Sequence, residues 1–253
     1  MILEPVTIQC PHCGLISRHY QVMSGTIFDS ETFTDGKTDV ISGAYGKDPF
    51  LIRCRRCQGF YFFGDHINEQ KEDFDDLPGL DYEEHYLEKE DYHEALQQIN
   101  QLSPEREKWL RTLLWWAIND LIRNNAGWGK RRSKILEFVN FILKPLQKVK
   151  WLHYSYPEYR KWLSAKNDNM RRLLQLLDPV NDINDACLSV EIHRELAAFS
   201  LARQQLKMIS PKNCHAFYRT QKRLLRHRDR FVRKINYSPV HNTQQEVVLV
   251  TGE

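Results

Sequence analysis

The pattern of apolar and polar residues changes near residue 87, and this change predicts two different kinds of structure. Before it, short apolar runs at residues 26–28, 50–52 and 60–63 are separated by glycine, aspartate and proline, which is typical of strands. Asp35-Gly36 is a hairpin-type turn signal between the first two runs. The first part of the chain is therefore predicted to be a small β-rich domain.

From Leu87 onward, apolar residues recur three and four positions apart, as on one face of a helix. Asp91 followed by Glu94 suggests a capping box, and Ser103-Pro104 is typical of a helix start. We predict five to seven helices. In chain order, the helical segments are expected at residues 92–102, 103–123, 133–144, 157–164, 168–177, 182–209 and 210–235.

The segregation of strands and helices predicts an α+β fold. We divide the chain into a zinc-ribbon domain at 1–64, an acidic linker at 65–86, a helical domain at 87–235 and a tail at 236–253. The zinc-ribbon domain takes its name from two C-x-x-C pairs of cysteines. The sequence does not indicate an oligomeric state.

Composition narrows the class of protein without naming a function. A hydrophobic fraction of 42% and a charged fraction of 27% are ordinary for a globular chain, and no apolar run is long enough to span a membrane. The N-terminus lacks the pattern of a secretory signal, so we expect a cytoplasmic protein. The net charge of +3 conceals a net −11 at residues 65–94 and a net +10 at residues 194–234.

Two C-x-x-C pairs carry the strongest chemical signal. Cys10 and Cys13 form one pair, Cys54 and Cys57 form the other, and a glycine follows each pair closely. Two cysteines on a tight turn can direct both sulfurs at one ion, and two such turns give a tetrahedral zinc site. Four thiolates leave no open position, so we predict structural Zn²⁺ on which the small domain depends for folding. A redox dithiol and an iron–sulfur cluster are the alternatives, and His12 is expected to be an exposed bystander rather than a ligand.

The order of these elements resembles a known family. After the knuckles and the acidic segment comes WWAIND at residues 115–120, and the whole is similar to uncharacterised bacterial proteins with an N-terminal zinc ribbon and a tetratricopeptide-like helical domain. The resemblance covers roughly residues 8–125 and 184–211. It implies a bacterial origin and an architecture, but no activity. Within it, residues 195–202 look like the junction of one degenerate tetratricopeptide helix pair.

Basic residues near the C-terminus are candidates for contact with nucleic acid or with an acidic partner. A helix rich in arginine could contact phosphates, or it could be a solvated face or a dock for the protein's own acidic segment. The candidate residues are Lys130, Arg131, Arg132, Arg219, Lys222, Arg223, Arg226, Arg230 and Arg233.

No convergent catalytic set is visible, so the leading hypothesis is a non-enzymatic adaptor whose helical domain binds a protein partner. The alternative is a nucleic-acid-binding protein that uses its basic helices. An enzyme with a site around His193 and Glu195 is a third and weaker hypothesis. Cys187 and Cys214 are expected to be small buried apolar residues, and the six tryptophans to pack in the helical core.

Overall fold

A computed structural model describes residues 2–44, 50–65, 67–68, 87–99, 101–123, 157–212 and 214–235. In this part of the chain seven strands precede six helices, which confirms the α+β class. The strands are β1 (Ile2–Gln9), β2 (Ile16–Ser24), β3 (Thr26–Thr32), β4 (Thr38–Ala44), β5 (Leu51–Arg53), β6 (Phe60–Phe62) and β7 (Ile67–Asn68). The helices are α1 (Lys89–Gln98), α2 (Pro104–Arg123), α3 (Pro157–Leu176), α4 (Ile183–Glu195), α5 (Phe199–Met208) and α6 (His215–Arg226).

The strands form three small antiparallel sheets, ordered β2-β1-β7, β3-β4 and β5-β6. The predicted turn at Asp35-Gly36 joins β3 to β4, and Gly36 adopts a φ of +81° that favours glycine. Strands β1 and β2 were not expected. In β1 the buried residues are Val6, Thr7 and Ile8, and the rest of the strand is exposed or half-buried. Buried and exposed side chains therefore do not alternate along β1, and the alternation that marks a strand in a sequence is missing.

The β5–β6 hairpin joins the strands to the helices because both of its faces are buried. Alternate side chains of a strand point to opposite faces. Ile52 and Tyr61 therefore pack with Val6 and Ile8 beside the cysteine knuckles. The other face carries Leu51, Phe60 and Phe62, which pack against Ala95 of α1 and Leu110 of α2. The hairpin thus fixes the position of the second knuckle relative to the helices.

The starts of α2 and α4 follow the predicted capping chemistry, whereas α1 begins earlier than expected and α6 begins at His215 rather than at residue 210. The Ser103 hydroxyl accepts a hydrogen bond from the Arg106 amide at 3.3 Å, and the Asp182 carboxylate accepts one from the Asn184 amide at 2.7 Å. Asp91 was expected to begin α1 but is its third residue. Its carboxylate instead accepts a hydrogen bond from the Glu88 amide at 2.9 Å.

Several predicted helix ends were wrong. The segments expected at 157–164 and 168–177 form the single helix α3, whereas the helical region 182–209 divides into α4 and α5 at the junction expected at 195–202. The basic helix ends at Arg226 rather than near Ile235. Ala197 lies just after the end of α4 and Arg228 just after the end of α6, and each of these residues has a positive φ. The amide of each residue and the amide of the residue after it donate back to carbonyls of the last helical turn, which is a Schellman-type turn. Neither residue is a glycine, so the usual sequence signal is missing.

Some expectations fall on residues outside the described ranges. These are the helix at 133–144, the tail at 236–253, and most of the acidic linker. The proposed domain boundaries remain predictions.

A buried network of charged and polar residues connects the β3–β4 turn to the helices. Glu191 of α4 is fully buried and accepts hydrogen bonds from Thr34 at 2.7 Å and from Gln221 of α6 at 2.5 Å. Arg194 is also fully buried, pairs with Glu191, and donates to the carbonyl of Phe231 at 3.0 Å. One ion pair thus binds the hairpin turn, two helices and the segment after α6.

Asp35 extends this network from the hairpin turn to α2. Its carboxylate accepts a hydrogen bond from Asn119 at 2.9 Å and pairs with Arg123, and all three side chains are buried. Burial raises the pKa of Asp35 to about 7, although the guanidinium of Arg123 opposes the shift. The turn predicted from Asp35-Gly36 is therefore an anchor in the helical core as well as a link between two strands.

Candidate metal centre

Two knuckles of nearly identical backbone structure carry the four cysteines. The Cys10 amide donates to the Leu15 carbonyl at 2.8 Å, and the Gly14 amide donates to the Cys10 carbonyl at 2.9 Å. The second knuckle repeats this pattern: the Cys54 amide donates to Gly59 at 2.9 Å and the Gln58 amide to Cys54 at 2.8 Å. Each tight turn places its two sulfurs on the same side.

The knuckles bring all four sulfurs together, which confirms the predicted cluster. The Sγ atoms of Cys10 and Cys57 are 3.7 Å apart, and those of Cys13 and Cys54 are 3.6 Å apart. All four lie within 4.8 Å of one another. A tetrahedron with metal–sulfur bonds of ~2.3 Å has edges of roughly 3.8 Å. The cluster therefore has the size that one four-coordinate metal ion requires.

The turn residues differ from the prediction in the second knuckle. Gly14 has a φ of +72°, as expected for the glycine after Cys13. After Cys57 it is Gln58 that adopts the positive φ, at 60°, rather than Gly59. Gly59 is required for another reason: a Cβ there would lie 2.6 Å from the ring of His12. The imidazole of His12 donates to the Phe60 carbonyl at 3.0 Å, so this residue links the knuckles instead of joining the sulfur cluster.

The thiols occupy environments that differ in polarity. Burial raises the pKa of Cys10 to about 12. Burial acts in the same direction on Cys54, but backbone hydrogen bonds from Cys57 and Arg56 outweigh it and lower the pKa of Cys54 to about 7. Metal binding favours the deprotonated form of every cysteine ligand. A divalent cation bound in this cluster would therefore favour the thiolate form of all four cysteines.

The candidate basic residues separate into two groups. Arg219, Lys222, Arg223 and Arg226 are exposed on α6, whose opposite face buries Leu224 and Leu225. Arg230 and Arg233 are half-buried and contact the protein itself. Arg230 donates to the Glu195 carbonyl at 2.9 Å, and Arg233 pairs with Asp229 at 2.8 Å. Lys130, Arg131 and Arg132 lie outside the described residues.

The acidic segment at 65–94 was a candidate to neutralise the basic helix. Where the structure describes this segment, carboxylates in it form ion pairs with other cations. Asp91 and Glu94 contact Arg53 at 2.6 and 3.0 Å, and Asp65 contacts Arg106 at 2.5 Å. The four exposed cations of α6 form no ion pair within the described ranges. Residues 69–86, which hold most of the acids, lie outside those ranges.

A cavity of about 440 Å³ lies where the β3–β4 turn meets α2, α4 and α6. Its apolar wall includes Phe33, Trp109, Trp116, Leu188 and Phe217. Sequence reasoning missed this cavity because its wall is assembled from four separate elements. Among the tryptophans, Trp115 is fully buried as expected, whereas Trp109 is 40% exposed. Trp128 and Trp151 lie outside the described residues.

The residues of the weaker enzyme hypothesis, His193 and Glu195, and the two remaining cysteines lie in the helical part of the protein. Glu195 is buried and pairs with Lys166 at 2.5 Å, while His193 is half-buried, and burial lowers its pKa. Cys187 and Cys214 are half-buried rather than buried, and the structure brings their sulfurs together.

The fold and the site define an α+β protein with a four-cysteine candidate metal centre and a helical part that contains a cavity. No family model matches the chain, and neither do any curated proteins or solved structures. The family resemblance and the bacterial origin therefore remain predictions. None of the helices in the described part of the chain is long and apolar enough to cross a membrane.

Proposed function

We propose that this chain is a zinc-stabilised, non-enzymatic interaction protein. The observation that carries the proposal is the cluster of four cysteine sulfurs, with separations of 3.6 and 3.7 Å across the two knuckles. Cys10, Cys13, Cys54 and Cys57 would hold the ion. Thiolate ligands in tetrahedral geometry favour zinc over magnesium or calcium. A zinc ion with four protein ligands has no position for substrate or water, so its role is to stabilise the fold.

The helical part supplies the surface that a protein partner would bind. The cavity beside Trp109 and Trp116 is within the range of roughly 300–1,000 Å³ typical of ligand sites, and four aromatic side chains contribute to its wall. A bulky apolar side chain of the partner would be buried there, as an anchor residue is at the centre of many interfaces. Phe217 of α6 also lines the cavity, so the helix that carries the exposed cations borders this site.

The α4–α5 pair supports a tetratricopeptide-like interaction domain. Ala197 allows the turn between the helices with a φ of 63°. Phe199 packs on the cluster that contains Ala186 and Val190, and Ala202 is fully buried where the helices approach. A small turn residue, a packed aromatic and an alanine at the crossing are the features of such a pair.

Replacing Trp109 by alanine is expected to reduce capture of the protein partner strongly. An aromatic anchor contributes ~2 kcal/mol or more, which is roughly a 30-fold loss of affinity. Proteins captured by the tagged, metal-loaded chain would be compared by quantitative mass spectrometry. Met208→Ala serves as the control because Met208 is 61% exposed on α5 and does not line the cavity. Equal capture by wild type and Trp109→Ala would contradict the cavity as the partner site.

Nucleic-acid binding is the second candidate, and one observation favours it. Arg219, Lys222, Arg223 and Arg226 form a continuous exposed basic face that the described acids leave unpaired. A helix face of this kind can follow a row of phosphates. The second knuckle would add Arg55 and Arg56, which lie between Cys54 and Cys57.

Reversing three charges on α6 tests this candidate. If phosphates contact the face, Arg219→Glu, Arg223→Glu and Arg226→Glu together should strongly weaken binding to a generic oligonucleotide at low salt. The slope of log affinity against log salt should fall by about 3 in magnitude, because each phosphate contact contributes ~0.9 for duplex DNA. The measurement is fluorescence anisotropy with single- and double-stranded oligonucleotides across a salt series.

The control makes the same charge change on another helix. Arg160, Lys161 and Arg171 are exposed on α3, and their replacement by glutamate should leave the affinity nearly unchanged. A similar loss with both triple variants would indicate a general charge effect. Absence of binding by the wild type at low salt would exclude this candidate function.

A further inference from the structure

Cys187 and Cys214 form a thiol pair separate from the metal centre. Their sulfur atoms lie 3.8 Å apart, although the residues are 27 positions apart in sequence. Cys187 lies on α4 and Cys214 is the N-cap residue of α6, so α5 lies between them in the chain. The pair therefore spans two elements whose relative position a covalent bond would fix.

The surroundings of the pair allow access by a small molecule. Both side chains are half-buried and pack against the apolar cluster that includes Ala186 and Val190. Cys187 also lines the cavity of about 440 Å³ described above. A solute of a few atoms can enter such a cavity and reach Cys187, while Cys214, which does not line the cavity, is itself only half-buried.

We propose that Cys187 and Cys214 are an oxidation site, at which a small hydroperoxide converts the two thiols into a reversible disulfide between α4 and α6. In the first step the Cys214 thiolate attacks the peroxide, an S–O bond forms, the O–O bond breaks, and hydroxide leaves. In the second step the Cys187 sulfur attacks Cys214, the S–S bond forms, and the S–O bond breaks as water leaves. With hydrogen peroxide, two thiols lose two electrons and two protons, and two water molecules result.

The geometry requires only a local movement. A disulfide has an S–S length of ~2.0 Å, so the sulfurs must approach by about 1.8 Å, which rotation of the two side chains can provide. The order of the steps follows from the positions of the two sulfurs. Cys214 caps the N-terminus of α6, where the helix dipole favours a negatively charged group, whereas Cys187 lies inside α4. Burial and the neighbouring Cys214 sulfur raise the pKa of Cys187 above its ordinary value, which acts in the same direction.

The experiment uses the full, metal-loaded chain treated with hydrogen peroxide and digested with trypsin without reduction. The cysteines fall in different tryptic peptides, 173–194 for Cys187 and 213–219 for Cys214. We expect these two peptides to appear linked, with a mass lower by two hydrogen atoms than their sum, and to separate on reduction. Absence of this link, or links of either cysteine to Cys10, Cys13, Cys54 or Cys57 instead, would overturn the proposal.

Two single variants test the order of the steps. In Cys187→Ser the sulfenic acid at Cys214 has no partner and should be labelled by dimedone, whereas Cys214→Ser should show little label at Cys187. Equal labelling in both variants would contradict the assigned order. The mapping of the wild-type chain does not depend on either variant.

Discussion

Replacing Cys54 by serine is expected to weaken zinc binding by about 100-fold or more and to destabilise the β-rich part of the protein. Cys54 is 2% exposed and belongs to the same buried cluster as Val6, Ile8 and Ile52, so its sulfur is both a ligand and part of this core. A structural zinc site contributes ~10–16 kcal/mol through four ligands, or roughly 3 kcal/mol for each one. Affinity for zinc should therefore fall by about 100-fold or more.

Metal content per purified chain and near-ultraviolet circular dichroism measure this effect. Cys214→Ser is the matched control because it makes the same atomic change at a half-buried cysteine outside the cluster. It should retain one metal ion per chain and the aromatic dichroism of the wild type. A Cys54→Ser chain with the dichroism of the wild type would show that the fold does not depend on the centre.

Replacing Glu191 by alanine is expected to destabilise the whole fold by ~3–5 kcal/mol. The substitution leaves the buried guanidinium of Arg194 without its carboxylate, and loss of one partner of a buried ion pair has a cost of this size. Thr34 and Gln221 also lose an acceptor. Because domain stability is only about 5–15 kcal/mol, the protein should unfold at much lower urea concentration.

Glu158→Ala is the control for the Glu191 substitution. Glu158 pairs with Lys161 on the surface of α3, where the two side chains are 47% and 72% exposed, and such a pair contributes little. The urea midpoint of this variant should match that of the wild type. If Glu191→Ala were equally stable, the network would not hold the hairpin turn, the helices and the last segment together.

The parts of this structure that could be predicted from sequence are those that depend on neighbouring residues. The knuckles follow from pairs of cysteines with two residues between them, and the starts of α2 and α4 follow from Ser103 and Asp182. The turn at Asp35-Gly36 likewise needs only its own residues. Each of these signals is local because the interacting groups are close along the chain.

The missed features depend on contacts between distant elements. The burial of Asp35 requires α2 to supply Arg123 and Asn119, which nothing in the turn sequence indicates. The close approach of Cys187 and Cys214 depends on how α4 meets α6. The end of α6 before Arg228 was missed for another reason, since the left-handed conformation of Arg228 occurs without the glycine that usually marks it.

The metal centre is the central claim, and X-ray absorption at the zinc edge tests it most directly. The wild-type chain, purified without added chelator, should contain one zinc ion with four sulfur neighbours at ~2.3 Å. Fewer than four sulfur neighbours, nitrogen or oxygen in the first coordination sphere, or a folded chain that contains no metal and has four reactive thiols would contradict it.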